Sequence, residues 1–401
     1  MASEAPQVVP ASTHCRCCGC DTLDVLYKGP ADGSLTTMTT MLRGQTVVRT
    51  CPRCGHCQTD VLTDLDNYYA SEYELGRLNE EDDQLYCMND GVPVFRAQHQ
   101  ARVFASLQTI AAETAVLDYG AGKSLTMKRL VQEHPGFKPY VYDVSFKYRP
   151  VWETFTKASR CLGRSDLPDY RNTFDVITLF FVLEHVTALD AILGELRSLL
   201  REGGTLYAVV PDPLVNVADL IVADHVNHFS HCSLATVVRK QGFSVLEIDA
   251  SSHFGALVIR AAAVSQSESD ASSEQLDPEQ VHSTLAQLRD ISNFWNRIQA
   301  VLTAALADAP PGEPVAIYGA GFYGAYVRLL IEKSRHDIVQ IVDRNPHLQG
   351  TVVDGIPIVA PENLDPGVGT LIVGLNPAVA RAAVEQIAVW NTRLLRFVYL
   401  D

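Results

Sequence analysis

The chain is short of positive charge. Lysine and arginine together number 32 against 47 aspartates and glutamates, a net charge of −15 over 401 residues, and no Lys/Arg-rich stretch offsets that field. Such a surface repels nucleic-acid phosphates and anionic headgroups on average, so neither nucleic acid nor a membrane is an expected partner. Long apolar runs are lacking as well: none approaches the ~20 residues of a spanning helix. The opening segment MASEAPQVVPASTH has no basic stretch followed by an apolar one. Cytoplasmic residence is the expectation on those grounds. Short-period repeats are absent. What the chain does have is 47% hydrophobic residues, enough for two or three ordinary cores, and ten cysteines.

Ten cysteines in a long chain fit a reducing compartment better than a disulfide framework. Four of them form two CxxC pairs, Cys15 with Cys18 and Cys51 with Cys54. Two intervening residues let both thiolates turn onto one metal. Four sulfur ligands in a tetrahedron favour Zn²⁺ and leave no open position, so the ion would be structural. Gly19 and Gly55 follow the second cysteine of each pair and permit the tight turn. Cys17, Cys20, His56 and Cys57 are surplus candidates that leave the register open, and free reduced thiols are the competing reading.

Segmentation follows composition and periodicity. Residues 1–60 read as the knuckle, and 61–112 as a helical lid or connector containing VFRAQHQARVFASL. Within it Tyr68, Tyr69 and Tyr73 could stack on a sugar or base, a packed tyrosine-rich helix being the plainer alternative. From 113 to 265 apolar strands alternate with helices. TAVLDYGAG, SLTMKRLVQEH and PYVYDVS make a βαβ start, FDVITLFFVLEH is a further buried strand, and ALDAILGELRSLLREGG is a helix expected to stop at a glycine cap. GFSVLEIDASSHFGALVIRAAAV reads as an antiparallel hairpin that closes the sheet. Residues 266–312 are a polar linker and a long bridging helix, and 313–401 form a second glycine-turn unit.

In Val116–Gly122 an apolar strand runs into a turn where Gly120 and Gly122 allow a ligand close to the backbone. Asp143 ends the next strand, where an acidic side chain can accept both hydroxyls of a ribose. Asp118, Gly120, Gly122, Asp143 and Glu184 are the candidate cofactor contacts. Glu184 and His185 close FFVLEH at the sheet edge where doubly wound folds bind ligands, His185 joining the catalytic candidates. With the LREGGTLYAVVPD segment, these motifs closely resemble a class I S-adenosylmethionine-dependent methyltransferase. The third glycine position of a nicotinamide fingerprint is Leu125 here.

The order of cysteine knuckle, methyltransferase core and second glycine-turn unit resembles, over nearly the whole chain, the sugar C-methyltransferases that act on nucleotide-linked deoxy-keto-sugars. The resemblance implies an α/β protein: a class I methyltransferase Rossmann-like core, an N-terminal zinc-binding domain and a second Rossmann-like C-terminal domain. It also implies S-adenosylmethionine and structural Zn²⁺ as cofactors, and a nucleotide-linked sugar as acceptor. In that family a histidine just after an acidic residue is implicated as base. The matching pair here is Asp224 and His225, in Asp224–Ser230. The family more often shows glutamate and tyrosine in this segment, where this chain has Asp224 and the Asn227–His228 pair. An imidazole is chemically suited to the task, because a carbon beside a ketone must lose a proton before it can attack a methyl group. His228 and His231 are lesser candidates.

Taken alone, Gly319-Ala320-Gly321-Phe322-Tyr323-Gly324 with Asp343 is a dinucleotide fingerprint and indicates NAD. The resemblance implies instead a domain that helps shape the acceptor site without a redox cofactor. Methylation of oxygen or nitrogen on another small acceptor, and a nicotinamide-binding oxidoreductase or sensor, are the alternatives to sugar C-methylation.

Overall fold

Short strands interleaved with the CxxC turns open the chain: β1 (Asp24–Lys28), β2 (Val47–Thr50) and β3 (Cys57–Thr59) pair antiparallel in that order. Val48, fully buried, stands between Tyr27 and Thr59. The computed structural model describes residues 8–9, 13–31, 33–62, 83–89, 92–264, 276–307, 309, 312–331 and 337–401. Tyr68, Tyr69, Tyr73 and linker residues 265–275 lie outside the described residues. The chain forms two units, Met1–Ser34 with Leu42–Leu288, and Leu35–Met41 with Arg289–Asp401.

In the first unit α1 (Arg96–Leu107) leads to β4 (Val116–Tyr119), buried at all four positions, and then to α2 (Leu125–Glu133) and β5 (Tyr140–Tyr142). There follow β6 (Cys161–Leu162), β7 (Phe174–Phe180), α3 (Leu189–Leu199), β8 (Leu200–Pro211), β9 (Asn227–His228), α4 (His231–Lys240), β10 (Phe243–Asp249) and β11 (Ala256–Ala263). Seven of these strands form one sheet in the order β6-β5-β4-β7-β8-β11-β10. The first five are parallel to one another, and β11 runs antiparallel to both β8 and β10. Strands covered on both faces must be apolar throughout. Leu117, Ile177 and Leu206 accordingly pack with Leu193 and Leu196 of α3, while Val116, Val176 and Val209 pack with Phe104 of α1 and Met127 and Leu130 of α2.

Two local expectations change. The helix expected to end at a glycine cap stops at Leu199, because Leu200 already pairs with Phe174; residues 201–204 loop out of the ladder, which resumes at Thr205 opposite Val176. β7 ends at Phe180, and Leu183–His185 make a separate 3-10 turn, so Glu184 and His185 sit on a loop beyond the strand.

The helix α5 (Pro278–Ala307) runs through the division between the units, with Leu285, Leu288, Ile291, Trp295, Ile298 and Leu302 buried at helical spacing. The second unit continues through β12 (Val315–Tyr318), α6 (Phe322–Ile331), β13 (Ile338–Val342), β14 (Val352–Val353), β15 (Ile356–Val359), β16 (Thr370–Val373), α7 (Pro377–Glu385) and β17 (Arg396–Val398). Its sheet has the order β14-β15-β13-β12-β16-β17, parallel except at β14. Among the described residues no helix is long and apolar enough to cross a membrane.

Candidate functional site

The turn after β4 is held by carboxylates. Asp118, buried at the middle of β4, accepts hydrogen bonds from Ser124 Oγ at 2.6 Å and Thr178 Oγ1 at 3.0 Å. Burial raises its pKa to about 6, with the two hydroxyls opposing. Asp118 therefore faces inward and ties the turn to β7. Gly120 has φ +70°, and a Cβ there would lie 2.8 Å from Val182, so only glycine fits the close approach. Asp143, one residue past β5, accepts from Gly122 N–H at 2.8 Å on Oδ2 and from Ser145 N–H at 3.0 Å on Oδ1. A carboxylate has about four acceptor positions. Asp143, which the Val144 backbone also approaches, thus keeps acceptor capacity beside the turn, which fits a ribose hydroxyl.

Beyond the ends of β7 and β8 lies a cluster of carboxyls and imidazoles. Asp219, wholly enclosed, accepts from His225 Nδ1 at 2.5 Å on Oδ1 and from His228 Nδ1 at 2.9 Å on Oδ2. Burial works against its charge, but the two imidazoles hold it well below the usual carboxylate range. Burial likewise opposes charge on His225, yet the Asp219 bond and the surrounding carboxylates prevail and raise it to about 9. Glu184 is buried, and among the described residues neither carboxyl oxygen has a hydrogen-bond partner; desolvation pushes it up to about 8 despite nearby His225. His185 Nδ1 lies 2.9 Å from the Asp224 carbonyl and 3.9 Å from its carboxylate, and burial together with His225 lowers it to about 4. One donor atom each of Glu184, His185 and His225 fall within 4.8 Å of one another.

The structure thus brings together four of the sequence-designated residues, Glu184, His185, Asp224 and His225, and places Asp118, Gly120, Gly122 and Asp143 around a separate turn on the same edge of the sheet. His231 opens α4 instead. Sequence reasoning misses Asp219, whose offset from either histidine matches no motif. His228 turns out to be bound inside the protein, Nδ1 to Asp219 and Nε2 to Thr59 Oγ1 at 2.6 Å.

In the knuckle the Cys15 and Cys54 sulfurs are 3.7 Å apart and those of Cys18 and Cys51 3.6 Å. All four lie within 4.8 Å of one another. Sulfurs about 2.3 Å from a tetrahedral ion stand about 3.8 Å from each other, so this donor set fits a soft tetrahedral metal. The halves repeat one design: Gly19 N–H bonds Cys15 O and Gly55 N–H bonds Cys51 O, both at 2.9 Å, with φ of +73° and +69° at the two glycines. Cys17 and Cys57 are buried apart from this quartet.

Residues 95–248 match a family model described as a methyltransferase domain. That match supports reading the chain as an enzyme with a methyltransferase domain. The core of that region is an α/β fold with a mixed sheet. No curated protein matches the chain. Among solved structures, the methyltransferase of a Haloferax volcanii complex with the Trm112 methyltransferase activator is 17% identical, covering 43% of this chain and 91% of its own, with a TM-score of 0.38. A Listeria monocytogenes protein described as an S-adenosylmethionine-dependent methyltransferase is 13% identical over 42% of this chain and 100% of its own, with a TM-score of 0.35. The 1,6-didemethyltoxoflavin-N1-methyltransferase of Burkholderia thailandensis is 18% identical over 42% and 77%, with a TM-score of 0.32.

In the second unit, Gly319 (φ +110°) lies 2.4 Å, measured from an added Cβ, from Gly374 O, and Gly324 would clash likewise with Gly319 O. Asp343 accepts from Ala320 N–H at 2.8 Å and Asn345 N–H at 2.7 Å. This is the arrangement Asp143 makes with Gly122 and Ser145 in the first unit.

Proposed function

We propose that this methyltransferase alkylates a carbon of a nucleotide-linked keto-deoxysugar, with His225 as the base. The observation behind the reading is the buried His225, oriented through Nδ1 by Asp219 beside the unpartnered carboxyl of Glu184. A carbon next to a ketone is no nucleophile until it loses a proton, whereas an oxygen or nitrogen acceptor already carries a lone pair. With Nδ1 committed to Asp219, the proton is taken by Nε2 of the neutral imidazole, the form that His225 adopts as pH rises toward about 9. The electron pair released forms the new carbon–carbon bond, and the sulfur leaves as a neutral thioether. S-adenosylmethionine, when bound, supplies a methyl group on a cationic sulfur. Asp143 accepts its ribose hydroxyls, Gly120 and Gly122 let the backbone approach it, and Asp118 braces the turn. The Asp224 carbonyl orients His185, which with Glu184 borders the acceptor.

On the same reading residues 1–60 are a zinc-binding domain with Cys15, Cys18, Cys51 and Cys54 on a structural Zn²⁺, and 313–401 are a Rossmann-like domain without a redox cofactor. The enzyme works in the cytoplasm on a small-molecule acceptor. The Gly319–Gly324 turn with Asp343 favours a second reading, nicotinamide binding by that domain. Calorimetric titration with S-adenosylhomocysteine and with NAD separates the two.

A mass-spectrometric screen of nucleotide sugars identifies the acceptor. On it, His225→Ala is expected to lower turnover by about 10²–10⁴-fold and to stop exchange of the acidic carbon-bound proton with deuterated water, leaving S-adenosylhomocysteine affinity intact. Exchange and turnover near the wild-type rate would remove His225 from the role.

A further inference from the structure

We propose that Asp219 is the positioning residue for His225, and that the cysteine-knuckle sheet holds Asp219 in place through Thr59 and His228. This rests on the reading of His225 as the base. Asp219 is ionised and can only accept, so both imidazoles donate their Nδ1–H to it. His228 in its neutral form then carries no proton on Nε2, which accepts from the Thr59 hydroxyl at 2.6 Å. The chain of bonds therefore has one direction throughout: Thr59 to His228, His228 to Asp219, His225 to Asp219. It fixes His225 with its proton on Nδ1 and leaves proton exchange to Nε2.

The far end of that chain belongs to the knuckle. β9, which carries His228, is the edge strand of the N-terminal sheet, in the order β9-β3-β2-β1, with His228 opposite Cys57 and Asn227 opposite Gln58. Thr59 N–H bonds the Val226 carbonyl at 3.2 Å. Arg16, inside the first CxxC pair, donates to the Val226 carbonyl and, at 3.2 Å, to that of Thr59. Asn227 Nδ2 donates to the Leu183 and Val186 carbonyls at 2.9 and 2.6 Å, which ties β9 to the turn holding Glu184 and His185. The knuckle sheet thus brackets the reactive segment without donating a group to the reaction. The ionisable groups facing His225 are Asp219, Asp224, Glu184 and His185, with His228 across Asp219.

The test reads the imidazole itself and needs no acceptor. Zinc-loaded full-length protein is labelled with ¹⁵N-histidine, and the His225 signals are identified by their loss in His225→Gln. His225 is expected in the Nδ1–H tautomer when neutral. In Asp219→Asn it should titrate about 1–3 pH units lower and lose its tautomer preference; Asp219→Glu should recover part of both. Thr59→Val and His228→Gln should move the titration the same way by less. An unchanged His225 tautomer and titration in folded Asp219→Asn would overturn the proposal. If that variant does not fold, an unchanged His225 in both Thr59→Val and His228→Gln overturns it. Failure of the base reading shows separately, as wild-type turnover in His225→Ala, and leaves these spectra as they are.

Discussion

A carboxyl buried with no hydrogen-bond partner costs stability once it ionises, and among the described residues Glu184 is such a group. Its folded pKa, about 8, lies above the ordinary 4.5, and that of His225, about 9, above the ordinary 6.5. Both groups bind protons more tightly when folded. The stability they contribute is therefore complete at acid pH and lost as pH rises, through about 8 for Glu184 and about 9 for His225. Thermal stability should fall as pH rises from about 5 to about 9, and Glu184→Gln should flatten that fall below about pH 8; an equal slope in the variant would contradict the assignment. Asp143 yields the second residue-scale expectation. Asp143→Ala should weaken S-adenosylhomocysteine by about 1.5–3 kcal/mol, the range for a hydrogen bond to a charged group, and calorimetry on the folded variant checks it. The position of Asp143 was legible because strand, glycine turn and acidic second-strand end have fixed spacing. Asp219 was not, because a loop residue brought to two histidines by tertiary contacts leaves no periodic trace.

Elements whose periodicity is strong came through well. β4, α2, β5, the closing hairpin of β10 with β11, and α5 all lie where alternation or helical spacing puts them. The exceptions share a cause, since pairing partners decide them. Leu200 is a strand residue because Phe174 stands opposite it, and two-residue β9 exists only because β3 offers an edge. The proposed cofactor site rests on the turn after β4, in which Gly120 makes a close approach to Val182. Gly120→Ala puts a Cβ 2.8 Å from Val182 at a φ of +70°. It should cost about 1–3 kcal/mol from left-handed backbone strain and overpacking. Chemical denaturation measures this, and S-adenosylhomocysteine affinity should drop with it. Full stability and affinity in the alanine variant would mean that the turn is not built around this glycine.

At the scale of the molecule the chain is two units, one of which contains the cysteine quartet. The first holds the four sulfurs, and its N-terminal sheet has few buried apolar residues of its own, Tyr27 and Val48 among them, so metal binding and folding should be coupled there. The second unit has its own core, with Val342, Leu371, Val373 and Trp390 packed around the β12 sheet, and none of the quartet. Unfolding of such a chain need not be a single transition. Treatment with a chelator, or replacing Cys51 by Ser, should therefore lower the melting transition of the first unit while leaving that of residues 289–401 in place. Because β9 is the edge strand of the knuckle sheet, the same treatment should loosen His228 and Asp219 and cut turnover before S-adenosylhomocysteine binding is lost. Calorimetric scans with and without chelator, paired with elemental analysis, decide it. A metal-free preparation that melts and turns over like the purified protein would show that the four sulfurs hold no structural ion.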